Sequence, residues 1–209
     1  DFTWADFQAR NNNELVAIFG NFINRVTVLT HKYYDGVVPE PASFSEVDEE
    51  TLKVLKTYPE VIASSIEKYR FREAQAELMN VARLGNKYLA DEEPWKTIKT
   101  DETRTKTVMY VALQIASALA IISEPFLPFT SNKLKQILRF TQNDTVNPNE
   151  DEEPLSWNTV SKTTELIQPG HTIGKSELLF SKIEDAQIEK QLEKLEASKK
   201  LNEAMNKEI

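Results

Sequence analysis

Apolar residues recur at helical spacing along most of the chain. Over residues 6–34, Leu15, Ile18, Phe19, Phe22, Ile23, Val26 and Leu29 sweep a broad arc of the helical wheel. Glu14, Asn21, Arg25 and Lys32 gather on a narrow polar strip opposite. An arc that wide exceeds what a surface helix needs, so this helix is expected at the centre of a bundle. Asp35-Gly36, then Pro39 and Pro41, end it. Ser45-x-x-Asp48 opens a second helical stretch to about Tyr69, expected to break or restart at Pro59. The third, 71–89, carries Leu78, Val81, Ala82 and Leu89 and stops at Asp91-Glu92-Glu93-Pro94-Trp95. Thr100-Asp101-Glu102 caps a fourth over 101–123, and 130–140 is a short fifth beyond Pro125 and Pro128.

After Phe140 the pattern fades. Residues 141–176 hold Asn, Asp, Thr, Pro and Gly with scattered apolar positions, which predicts loop with a short strand or two. Ser181-x-x-Glu184 opens a charged terminal helix whose stripe, Ile188, Leu192 and Leu195, is too thin to hold it alone. The expected fold is therefore all-α: a bundle of about five helices over 1–140, an irregular extension over 141–183, and a C-terminal helix over 184–209. Trp157 is expected to pin the extension onto the bundle.

Composition narrows the chemistry. With no cysteine and only His31 and His171, far apart, a zinc site within the chain is not expected. The longest apolar run, 110–122, is too short for a membrane span, and no basic-then-apolar leader precedes Trp4. A soluble, cytoplasmic fragment with no membrane partner is the expectation. The net charge of −8 argues against a diffuse polyanion binder, yet residues 51–139 carry 14 Lys/Arg against 10 Asp/Glu. Any nucleic-acid contact is then local and structured. Residues 170–176 superficially suggest a phosphate loop, but only three residues separate Gly170 from Gly174, and no ATP site is expected. The acidic runs 91–93 and 151–153 read as solubilising turns.

Three stretches, taken in order, resemble the C-terminal half of methionyl-tRNA synthetases. They are Arg10-x-Asn12 through Asn21-Phe22-Ile23-Asn24-Arg25 to Asp35-Gly36-Val37; Phe71-Arg72-Glu73-Ala74 through Asn86-Lys87-Tyr88-Leu89 to Glu93-Pro94-Trp95; and Glu124-Pro125-Phe126-Leu127-Pro128. A weaker echo follows in Gly174-Lys175 and Leu179-Phe180-x-x-Ile183-Glu184. The resemblance implies an anticodon-binding bundle that reads the CAU anticodon of methionine tRNA, as the non-catalytic part of a methionine–tRNA ligase. It carries three functional positions here, Asn21, Arg25 and Trp95, with Pro94 beside the last. It also implies that ATP, and any zinc, belong to a catalytic part absent from this sequence. The expected partners are methionine tRNA, that catalytic part, and a second copy through a further C-terminal domain that some members carry.

The residue chemistry is consistent with that carry-over. Asn21 and Arg25, four apart, project from one helix face one turn apart. Arginine offers only donors, suited to cytosine N3 and O2; the asparagine carbonyl can take the cytosine N4 hydrogens. An indole offers a stacking surface of about 1–3 kcal/mol per base. Alone, such an Asn/Arg pair is usually a solvated face, and such a tryptophan is usually core or rim. Arg72, Arg83, Asn86 and Lys87 flank the helix leading to Trp95, where phosphate holding and packing are equally open; Arg10 and Asn12 carry no role beyond contact with the missing part. Two rivals stand beside this reading: the same bundle from another class I synthetase, and a helical protein-interaction scaffold with no RNA role.

Overall fold

The structure is a computed structural model that describes residues 2–140 and 155–205. The acidic run 151–153 lies outside them, as does the first part of the expected extension. In chain order the helices are α1 (Trp4–Arg10), α2 (Asn21–Tyr34), α3 (Glu46–Glu67), α4 (Phe71–Glu92), α5 (Pro94–Thr97), α6 (Glu102–Ile122), α7 (Pro128–Ile137), α8 (Trp157–Lys162) and α9 (Asp185–Met205), with a π-helical stretch, Asn11–Gly20, between α1 and α2. Among the described residues the expected strands reduce to one isolated antiparallel bridge, Val37 with Thr172. The chain divides into two compact units, residues 18–179 and residues 1–17 with 180–209.

Residues 18–179 form the helical bundle. The helix at its centre is α6, not the first helix as the apolar arc suggests. Every residue from Thr107 to Ile122 is buried, whereas α2 buries Phe22, Ile23, Val26, Thr27 and Thr30 and leaves Asn21 and Val28 exposed. The reason lies in composition: α6 has no charged residue after Lys106, so no face of it needs water. By length and composition α6 could cross a membrane, but 94% of that stretch is buried inside the bundle, as for a core helix.

The helix starts follow local chemistry. Ser45 and Asp48 form a reciprocal capping box on α3, Asp101 caps α6, and Pro128 occupies the first turn of α7. The expected break at Pro59 does not occur. Residues Glu46–Glu67 run as one helix with Pro59 inside it and buried. A proline there forfeits one backbone hydrogen bond, and burial of its ring offsets that loss in a helix packed on α4, α6 and α8.

Two helices of the bundle meet unusually closely. A Cβ built at Gly85 of α4 would stand 2.4 Å from the ring of Phe22 on α2, which is fully buried and has nowhere to move. Gly85→Ala is therefore expected to destabilise the protein by about 1–3 kcal/mol through overpacking, although alanine is the better helix former. A urea midpoint that stays at the wild-type value would show that the helices are free to separate.

The irregular residues after α8 are stitched to the bundle by polar groups. Gln114, buried on α6, donates to Ile167 O at 2.8 Å and accepts from Leu166 N at 2.7 Å and Ile167 N at 3.2 Å. The His171 ring nitrogen lies 2.7 Å from Leu138 O, and that of His31 lies 2.7 Å from Gly174 O. The backbone amides of Gly170, Ile173 and Gly174 donate to Val38, Gly36 and Ile137 carbonyls. Amides engaged in this way are not turned toward a phosphate. Trp157 is half-buried at the start of α8, which packs on α3.

In the other unit, Asn12 and Ile183 pair through two hydrogen bonds. The Asn12 amide donates to Ile183 O at 2.9 Å, and its carbonyl accepts from Ile183 N at 2.8 Å. Asn11 and Gln8 add bonds to Ser181 O and Ile183 O. Asn12 thus has a partner within its own unit, beyond the contact with a missing part that the sequence suggested. Residues 191–200 of α9 are exposed except Gln191, as its thin apolar stripe foretells.

Candidate nucleic-acid interface

Asn21, Arg25, Pro94 and Trp95 all belong to the 18–179 unit, and α2 and α4 bring them to one place. Gly85 lets α4 approach α2, so the turn that follows α4 lies beside the Arg25 side chain. There Arg25 Cζ sits 4.7 Å from the centre of the Trp95 ring. Both side chains are half-buried. Arg25 makes no ion pair or hydrogen bond among the described residues; burial alone lowers its guanidinium from the ordinary value, and it stays charged at neutral pH. A cation stacked on an indole gains about 0.5–1 kcal/mol at a partly exposed site. Its in-plane donors remain unspent.

One turn earlier, Asn21 is exposed and hydrogen-bonded to Asn86 on α4. The polarity of that bond is fixed from beneath. Asn86 Nδ2 donates to Ile18 O at 2.8 Å and to Ala82 O at 3.1 Å, so its Oδ1 faces Asn21 and accepts from Asn21 Nδ2 at 3.1 Å. Asn21 Oδ1 is left as an acceptor with no partner among the described residues. Asn86, for which the sequence left phosphate holding and packing open, is thus a bridge between α2 and α4 that orients Asn21. An asparagine on the partner helix gives no signal of this until the two helices are packed.

The turn that carries Trp95 is staked on both sides. Glu93 takes a left-handed backbone (φ 43°) and ends α4, and Pro94, buried, is the first residue of the one-turn helix α5. At a first helical position the missing amide of Pro94 costs nothing. Before the turn, Glu92 accepts from Arg104 Nε at 3.1 Å and forms an ion pair with its Nη2 at 2.7 Å. After it, Thr97 Oγ1 lies 2.8 Å from Thr105 Oγ1 of α6.

Arg104 also reaches Asp48, whose carboxylate is fully buried and accepts from both guanidinium Nη atoms, from Tyr88 Oη at 2.5 Å and from Ser45 N at 2.9 Å. Burial by itself would raise the Asp48 carboxyl. The hydrogen bonds from Arg104, Tyr88 and Ser45 outweigh it and hold the group below the ordinary carboxylate value. Burial first, and then the bond to Asp48, push the Tyr88 phenol well above its ordinary value. The sequence offered Asp48 only as a helix-start residue; its second task, anchoring α3, α4 and α6 together, appears once Tyr88 and Arg104 are beside it.

Comparison with known proteins agrees in sequence and in fold. The family model described as the anticodon binding domain of methionyl tRNA ligase matches residues 38–200. The chain is 71% identical over 202 residues to a methionine–tRNA ligase of Christiangramia forsetii, covering 97% of this chain and 28% of that protein. It is 65% identical over 207 residues to the corresponding ligase of Flavobacterium psychrophilum, covering 99% and 29%. The apo crystal structure of Mycobacterium tuberculosis methionyl-tRNA synthetase superposes with a TM-score of 0.75 at 21% identity, covering 88% of this chain and 35% of that one, a likeness of fold. The chain thus spans under a third of the length of these curated relatives.

Proposed function

This chain belongs to the family of methionyl-tRNA ligase anticodon-binding domains, and we propose that Asn21, Arg25 and Trp95 read the first anticodon base, a cytosine, of methionine tRNA. Arg25 donates to cytosine N3 and O2, the Asn21 carbonyl accepts from the N4 amino group, and the indole stacks the base. Pro94 holds the backbone in front of the indole. The observation that carries the reading is the guanidinium over the indole, unpaired, one turn from a carbonyl acceptor. Three groups of complementary hydrogen-bonding and stacking character converge where a splayed loop base can enter. A protein-interaction scaffold has no need of an unpaired, half-buried arginine at that point.

The chemistry of charging tRNA with methionine, with ATP and any zinc, falls to the part of the protein outside this chain. This domain contributes position: it holds the anticodon loop so that the acceptor end reaches the distant active site. Protein synthesis sets the compartment as the cytoplasm.

Arg25→Ala in the full-length ligase tests this. A fork of donors to a base edge is worth about 1–3 kcal/mol, so kcat/KM for the CAU-bearing tRNA is expected to fall roughly tenfold to a hundredfold. The preference over transcripts altered at the first anticodon base is expected to shrink alongside. Wild-type aminoacylation by this variant at subsaturating tRNA would remove the reading.

A further inference from the structure

The face that carries Asn21 and Arg25 continues along α2. At about 100° per residue, Val28 and Lys32 fall on the same stripe. Val28 is 43% exposed and Lys32 is exposed. The Lys32 ammonium sits 5.4 Å from the centre of the Tyr33 ring, and Tyr33 is half-buried. One helix face thus carries two cations seven residues apart, each seated on an aromatic ring. The helix rise separates them by about 10 Å.

Four cations around the site are spent on carboxylates. Lys87 in the last turns of α4 is salt-bridged to Asp91, Lys96 on α5 to Glu93, Arg104 at the start of α6 to Glu92 and Asp48, and Lys106 to Glu102. Arg25 and Lys32 have no carboxylate partner among the described residues. An unpaired surface cation held by a ring pays little to rearrange on meeting an anion.

From this geometry we infer that Lys32 is a second RNA contact, one that binds a backbone phosphate of the anticodon loop beside the base read at Arg25 and Trp95. The inference rests on the proposed reading of that base. Lysine is a compact point charge with three rotating donors, suited to a phosphate and poorly suited to reading a base edge. Val28, between the two cations, offers neither charge nor hydrogen bond, so a sugar can pass over it without losing a polar partner. The contact adds affinity and register and no base preference.

The test uses the full-length ligase. KM and kcat for methionine tRNA are measured across a series of salt concentrations for wild type, Lys32→Ala, Lys32→Arg, Lys56→Ala on α3 as a general charge control, and Arg25→Ala. Removing one phosphate contact to a single-stranded segment is expected to flatten the dependence of log KM on log salt by about 0.7. At low salt the Lys32→Ala KM rises by about threefold to tenfold, with kcat and the anticodon preference unchanged. Lys32→Arg keeps the slope. A slope change no larger than that of Lys56→Ala overturns the phosphate contact, and so does an altered preference among anticodon variants, which would make Lys32 a base reader. If Arg25→Ala keeps the full anticodon preference, the base-reading proposal falls instead, whatever Lys32 does.

Discussion

Trp95→Ala in the full-length ligase is expected to lower kcat/KM for methionine tRNA by roughly a hundredfold. The change removes the proposed stacking surface for a base, about 1–3 kcal/mol, together with the seat of the Arg25 guanidinium, about 0.5–1 kcal/mol. The two losses fall on one site and are felt together, at about 1.4 kcal/mol per tenfold. Trp95→Phe keeps a smaller platform and is expected to recover about a factor of ten. Activation of methionine by ATP, measured without tRNA, should be untouched by either change. Trp95 is half-buried in a one-turn helix, so the fold survives its loss. A Trp95→Ala enzyme with normal KM for tRNA would mean that the indole is a helix-end plug.

The largest stability effect is expected at Arg104. Arg104→Ala strands the Asp48 carboxylate, fully buried, with only Tyr88 Oη and Ser45 N left to it. Breaking such a pair from one side typically costs about 3–5 kcal/mol. Replacing both partners by leucine should cost less than Arg104→Ala alone, because the fully buried Asp48 charge is then gone and only the partly exposed Glu92 loses its partner. Acid should reveal the same group. The Asp48 carboxyl in the folded protein lies below its unfolded value of about 3.9. Its contribution is therefore complete above that value and is lost as pH falls through the lower, folded one. Wild type should lose more stability than Asp48→Asn on acidification below about pH 4, as read by urea midpoints. Parallel acid limbs for the two proteins would show that the Asp48 charge contributes nothing.

The helices were legible where local chemistry sets them. The capping box at Ser45 and Asp48, the cap at Asp101 and the proline stops are all short-range signals, and each marks a helix end in the structure. Pro59 misled because a breaker rule knows nothing of burial. The first helix misled in the same way: its wide apolar arc includes residues of the π-helical stretch, where a wheel drawn at α-helical spacing no longer applies.

For the site, the four-residue spacing placed Asn21 and Arg25 on one face. Nothing local says that Trp95, seventy positions away, lies against Arg25, because that depends on the Phe22–Gly85 contact and on the turn held by Glu92 and Thr97. Asn86, Asp48 and Arg104 were hidden for the same reason. Each acts across a helix interface, on partners such as Asn21, Ile18, Tyr88 and Asp48 that lie 40 to 68 residues away in the chain.

If Asn21 and Arg25 read a cytosine as proposed, the Asn86 bridge bears on how uracil would be refused. Uracil differs from cytosine by carrying a hydrogen on N3, which an Arg25 donor cannot meet, and by turning the N4 donor into an O4 acceptor, so a misread would also ask the Asn21 side chain to rotate and present its NH₂. Rotation would set the Asn21 carbonyl against Asn86 Oδ1, and Asn86 cannot turn in response without facing its own carbonyl toward Ile18 O and Ala82 O. Under the proposed reading, two main-chain oxygens beneath the surface add to the choice between pyrimidines that Arg25 begins at N3.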